Sequence, residues 1–159
     1  MVFVSTKIKK SAASAFERET IEKQEFRIIK PEGFISPIDE NSEFAFEAYT
    51  KEFGKNDADE FRQASANLIV TADMNLKTAI DNIRNSDEKI LSENDVEARK
   101  ICLVETEKIE KNIIVKNFYK IIEISQPQKI YRLKISVLDV YLEEYKNKIN
   151  EMLESFVLK

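Results

Sequence analysis

Carboxylates are the side chains best placed for chemistry in this sequence. Asp39, Glu40, Asp57, Asp59, Glu60, Glu93 and Asp95 all fall in stretches of turn composition, and Asp or Glu can act as general acid or base without histidine. The ordinary fate of an acid in a loop, however, is a solvated surface charge. The run from Asp57 to Glu60 gathers enough oxygen to attract Ca²⁺, but it lacks the regular ligand spacing of an EF-hand.

Other reactive sets are missing. The chain has no histidine and a single cysteine, so a Ser-His or Cys-His nucleophile pair, a Cys/His zinc cluster and an internal disulfide are all out of reach within one chain. Cys102 stands in the apolar run Ile101-Cys102-Leu103-Val104, the setting of a buried, inert thiol. No G-x-x-x-x-G-K phosphate cradle is present. The sequence therefore predicts no catalytic residue, no cofactor-binding residue and no metal ligand, hence no cofactor and no enzyme activity.

Composition narrows the partners. The 159 residues carry 29 acids and 25 bases, a net charge of −4. The two signs are interspersed, so no basic block exists to condense on a phosphate backbone, and nucleic acid is not expected. Neither a secretory signal after Met1-Val2-Phe3-Val4 nor an apolar run of membrane-spanning length can be read. A cytoplasmic protein is the expectation, although a mature chain already freed of a signal or lipid anchor would read the same way.

The elements that must position any site are clearest in the last third. Lys100 to Glu107, Asn112 to Ser125 and Lys129 to Val137 read as strands. The middle one is apolar at both parities, as a strand covered on both faces would be. Pro127 separates it from the last, which makes those two antiparallel neighbours. A closing amphipathic helix follows from Asp139 to Ser155, with Leu142, Tyr145, Ile149, Met152 and Phe156 on one stripe and an S-x-x-D start signal at Ser136 and Asp139.

Upstream, Phe26 to Lys30 reads as a strand closed by the turn Pro31-Glu32-Gly33. Phe44 onward and Phe61 to Val70 alternate like a hairpin around Gly54-Lys55-Asn56-Asp57. Leu76 to Asn85 is a helix capped by Asp73 or Asn75. Lys89 to Leu91 reads as a short edge strand before a turn at Ser92-Glu93-Asn94-Asp95. The Ala- and Glu-rich stretch from Ser11 to Gln24 predicts a loosely docked helix, so residues 1–24 are read as an extension to one domain spanning 25–159.

This layout resembles the PsbP-like family, which includes the extrinsic protein of photosystem II, the Ran-binding import factor and uncharacterised prokaryotic members. The resemblance rests on Phe26-Arg27-Ile28-Ile29-Lys30-Pro31-Glu32-Gly33-Phe34, on Ala98-Arg99-Lys100 entering a strand, on Lys129-Ile130-Tyr131-Arg132-Leu133, and on a terminal helix ending in Ser155-Phe156. It implies an α+β fold, a central antiparallel sheet flanked by helices in an α/β/α sandwich. It also implies a mainly non-enzymatic domain that docks to proteins, and no catalytic residue to carry over. Gly33, Phe34, Tyr131, Ser155 and Phe156 are then fold residues, a turn glycine and packing anchors. The functions weighed are an interaction or adaptor module, a small-molecule carrier or sensor with an apolar pocket lined by Phe118, Tyr119, Tyr131 and Phe156, and a carboxylate enzyme.

Overall fold

Long β-branched runs can satisfy their backbone groups while buried only by pairing with one another, and the last third of the chain does this. The computed structural model describes residues 15–96 and 100–159. Its strands are β1 (Glu19–Glu22), β2 (Phe26–Lys30), β3 (Phe34–Ile35), β4 (Phe46–Thr50), β5 (Ala64–Ala72), β6 (Lys89–Val96), β7 (Ile101–Glu110), β8 (Ile113–Ile124), β9 (Lys129–Leu138) and β10 (Val157–Leu158). The helices are α1 (Leu76–Arg84) and α2 (Leu142–Ser155), the second entered through a 3₁₀ turn at Asp139–Tyr141.

One antiparallel sheet takes the order β3-β4-β5-β9-β8-β7-β6, and a smaller one the order β1-β2-β10. β9 sits at the centre of the large sheet, with β8 beside it and paired on both edges. Because side chains alternate along a strand, each face has its own cover. On one face Ala66, Leu68, Leu133, Ile135 and Tyr131 meet Tyr145, Ile149 and Met152 of α2 together with Phe26 and Ile28 of β2. On the other, Cys102, Val104, Tyr119, Ile121 and Ile130 meet Ala79, Ile80 and Ile83 of α1. The result is the expected α+β sandwich, one helix on each face of an antiparallel sheet.

Of the residues that carried the family resemblance, those around β2 and at the end of α2 lie at the seam between these two elements, while Lys129 to Leu133 open β9. Gly33 adopts φ +88°, a conformation that favours glycine. Phe34 and Phe156 are fully buried, with Phe34 edge-on to Tyr145 and Phe156 edge-on to Phe26, both at 6.0 Å. The Ile29 N–H donates to Ser155 Oγ at 2.9 Å, and Lys120 Nζ donates to the carbonyls of Leu153 and Phe156 at 2.7 and 2.8 Å. A cation at the last carbonyls of a helix satisfies acceptors that have no partner within it. Ala98 and Arg99 lie outside the described residues.

Three local expectations are corrected. Where it is described, the stretch expected to be helical contains β1, antiparallel to β2 with Glu19 opposite Lys30; the free edge of β2 offers ladder hydrogen bonds that outweigh the helix propensity of Glu and Ala. The turn expected at Ser92 to Asp95 is the second half of β6, which continues past a bulge between Ile90 and Ser92. Polar residues fit there because β6 is an edge strand. Finally, neither Ser136 nor Asp139 caps the closing helix with its side chain; Ser136 Oγ donates instead to Asn117 Oδ1 at 2.6 Å.

Since Ile149 is 1% exposed on the helix face that closes the core, Ile149→Asp should cost several kcal/mol, comparable to total stability. Glu144→Ala should cost little, and thermal melting of both variants checks the contrast.

Candidate functional site

The sequence candidates do not converge. Asp57 lies in the 3₁₀ turn Asn56–Ala58 with Asp59 just after it, and Glu60 pairs with Lys111 at 3.0 Å. Glu93 and Asp95 lie on β6, where Glu93 pairs with Arg84. Asp39 accepts a hydrogen bond from the Asn41 N–H and, with Glu40, lines an open cavity of about 410 Å³ beside Glu19, Glu47, Ile38 and Phe44. Among the described residues no group of three His, Cys, Asp or Glu side chains could hold a metal ion. Cys102 is fully buried, and burial, reinforced by Asp95 and Glu93, pushes its thiol up to about 11. At neutral pH it is protonated and inert.

The aromatic pocket is corrected as well. Phe118 and Tyr119 are consecutive on β8 and point to opposite faces, while Tyr131 and Phe156 are packed into the core. A smaller cavity, about 260 Å³, does lie between the sheet and α2, lined by Phe118, Leu142 and Ile149 with Glu105, Glu143 and Lys146.

A polar cluster that sequence reasoning missed lies beside α1. Thr106, Asn117 and Ser136 sit opposite one another on β7, β8 and β9, a polar row across three strands. Glu88, at the end of the α1–β6 connection, reaches into it. Thr106 Oγ1 donates to its carboxylate at 2.6 Å, Asn117 Nδ2 at 3.0 Å, and the Tyr119 hydroxyl lies 2.8 Å from each oxygen. Lys134 Nζ is 3.6 Å away. Burial alone would raise the Glu88 carboxyl. The bonds from Thr106 and Tyr119 and the charge of Lys134 outweigh it and hold the group below the usual carboxylate range. Burial, then Glu88, pushes the Tyr119 phenol up. Asn117, a lone amide within a β-branched run, was the available signal; its partner could not be found from sequence spacing.

Farther across the same face the packing beneath α1 ends among the described residues. The hydrophobic cluster beneath α1 takes nothing from β4 or β5. There Ser65, Asn67 and Ile69 lie opposite Ser136, Lys134 and Arg132, all only partly buried. Chemically this surface can bind, since it presents cations, an amide and hydroxyls, but it assembles no nucleophile.

Comparison with known proteins is consistent with this architecture. No family profile and no curated protein sequence matches the chain. Among solved structures it is similar to LpqN of Mycobacterium tuberculosis, described as involved in cell envelope biogenesis, at 10% identity and TM-score 0.63, covering 90% of this chain and 91% of that one. It is similar to the Saccharomyces cerevisiae Ran-binding protein Mog1p at 13% identity and TM-score 0.61, covering 90% and 96%. It is also similar to the cyanobacterial PsbP of Synechocystis at 9% identity and TM-score 0.51, covering 90% and 92%. The fold is therefore PsbP-like. No helix among the described residues is long and apolar enough to cross a membrane.

Glu88→Ala leaves the buried Thr106 and Tyr119 hydroxyls without their acceptor, while Asn117 Nδ2 keeps Thr106 Oγ1 at 3.2 Å, and should cost about 2 to 4 kcal/mol in urea unfolding. Because the folded carboxyl sits below its unfolded value, its contribution is full above the ordinary carboxylate pKa of about 4.3 and is lost as pH falls through the folded value. Glu88→Gln should therefore show a shallower acid limb of stability than the parent chain.

Proposed function

We propose that this chain is a non-enzymatic protein-interaction domain that docks a partner on sheet surface its own helices leave uncovered. The carrying observation is an exposed apolar pair at the tip of the β7–β8 hairpin. Ile109 of β7 and Ile114 of β8 lie opposite each other on one face and are 68% and 38% exposed; Leu103, 38% exposed on the same face, is set apart from them by Glu105 and Glu107. Exposed aliphatic side chains paired at a hairpin tip favour a protein contact, whereas the aromatics Tyr119, Tyr131 and Phe156 are already packed against the chain's own side chains. Mog1p, whose fold is similar, is described as Ran-binding, which supports a docking role by analogy of fold.

A second reading, a carrier of a small apolar molecule, draws on the cavity of about 260 Å³ beside Phe118. Its size falls just below the usual range of ligand pockets, roughly 300 Å³ and above. Native mass spectrometry showing a co-purified molecule that is lost in Phe118→Trp would favour it over docking.

The docking reading is tested with Ile109→Asp combined with Ile114→Asp. Stability should change by no more than about 1 kcal/mol, as at other exposed positions, while crosslinked capture of the partner from the source cells is lost. Capture unchanged by the pair would contradict the reading.

A further inference from the structure

Charges of both signs are interspersed along the chain except between Lys30 and Lys51, where Glu32, Asp39, Glu40, Glu43 and Glu47 occur with no lysine or arginine. The fold gathers most of that stretch in one place. It forms β3, the β3–β4 connection and β4, and the connection and β1 together line the open cavity of about 410 Å³. Ile21 and Phe46, which pack into the core, line it with Pro37, Ile38 and Phe44. Ile38 is 98% exposed, the highest of the large apolar side chains described, so the apolar lining continues out into solvent.

The cleft is acidic as well as apolar. Glu19, Asp39 and Glu40 line it, Glu43 belongs to the same connection, and all four are exposed. Lys23 is the one base among the described lining residues. Lys30, the register partner of Glu19, is buried and spends its ammonium on the carbonyls of Ala15, Glu17 and Phe34, and Arg18 pairs with Glu151. Even with Lys23 and Lys30 set against Glu19 and Glu47, Asp39, Glu40 and Glu43 have no ion-pair partner among the described residues. Glu22, Glu25 and Glu60, on other surfaces, each hold a lysine. The connection is ordered by its own hydrogen bonds, with Ser36 Oγ donating to the Glu47 carbonyl at 2.8 Å and the Phe44 N–H donating to Ser42 Oγ at 3.1 Å.

We propose that the cleft between β1 and the β3–β4 connection binds a basic segment of a protein partner, in which an apolar side chain is flanked by lysine or arginine. The apolar side chain is buried against Phe44, Ile38 and Ile21, and the cations reach Asp39, Glu40 and Glu43. Each charged contact is weak on its own, because exposed ion pairs contribute little in water. The apolar contact therefore supplies affinity, while three unmatched carboxylates select the sign of the partner. A small cation alone would leave Ile38 and Phe44 uncovered, and among the described residues no group of three His, Cys, Asp or Glu side chains could hold a metal ion. The cavity is within the roughly 300 to 1,000 Å³ of clefts that take ligands. It lies at the β3–β4 edge of the large sheet, with the β7–β8 hairpin toward the other edge, so it is separate from the hairpin tip and does not depend on it.

The test titrates the ¹⁵N-labelled full chain with a capped peptide of four lysines and two leucines, with its glutamine-for-lysine counterpart and with its serine-for-leucine counterpart. The lysine–leucine peptide should shift the amides of Glu19 to Lys23 and Ile38 to Ala45, and added salt should weaken it. Asp39→Asn combined with Glu40→Gln should weaken binding by about two- to thirtyfold, the worth of two exposed ion pairs, and Ile38→Ser should weaken it too. All three positions are exposed, so none of these changes should lower the melting temperature. Ile109→Asp with Ile114→Asp should leave binding unchanged. The proposal is overturned by no binding in the millimolar range, by equal binding of the glutamine or the serine peptide, or by binding that Asp39→Asn with Glu40→Gln does not alter. Binding that appears only when Lys7, Lys9 and Lys10 are changed to glutamine would overturn it as well, by assigning the cleft to this chain's own first residues in place of a partner.

Discussion

The structure depends on one seam, where the apolar stripe of α2 presses on the large sheet and on β2 together. Tyr145, Ile149, Met152 and Phe156 are all at most 6% exposed, and they join elements more than a hundred residues apart in the chain. A fully buried side chain of this size contributes roughly 1.5 to 3 kcal/mol, so the stripe as a whole outweighs the few tenths available from any surface ion pair. Directional contacts then fix the seam. Ser155 accepts from the β2 backbone and Lys120 holds the last carbonyls of the helix. The Tyr145 hydroxyl donates to Gln63 Oε1 at 2.6 Å.

A buried cation secures the start of the described chain. Lys30 is 1% exposed, and its ammonium donates to the carbonyls of Ala15, Glu17 and Phe34. Burial lowers its pKa, against the opposing charges of Glu19 and Glu17. A buried lysine is tolerable only with such partners, so the segment before β1 is held to the turn that carries Gly33, whose own N–H donates to the Phe16 carbonyl at 2.7 Å.

How much of this was legible follows from which residues speak locally. β8 and β9 were readable because β-branched and aromatic residues alternate along them and Pro127 separates them. The closing helix was readable because Leu142, Tyr145, Ile149 and Met152 recur at helical spacing. β1 was not, since Glu19 to Glu22 has no pattern of its own and is a strand only because β2 has a free edge. The end of β6 was hidden by Ser92-Glu93-Asn94-Asp95, residues typical of turns that an edge strand accepts. The polar cluster was invisible for a different reason. Thr106, Asn117, Tyr119 and Lys134 are brought together by sheet register and Glu88 by the connection that follows α1, neither of which any single segment encodes.

Native-state amide hydrogen exchange tests the dependence on the α2 seam most directly. If α2, β2 and β9 form one cooperative unit, the slowest amides of all three should exchange only by global opening, with the same free energy and the same dependence on denaturant. Slow amides in β9 that persist while those of α2 and β2 exchange through a lower-energy opening would show that the sheet stands without the helix, and would contradict the account.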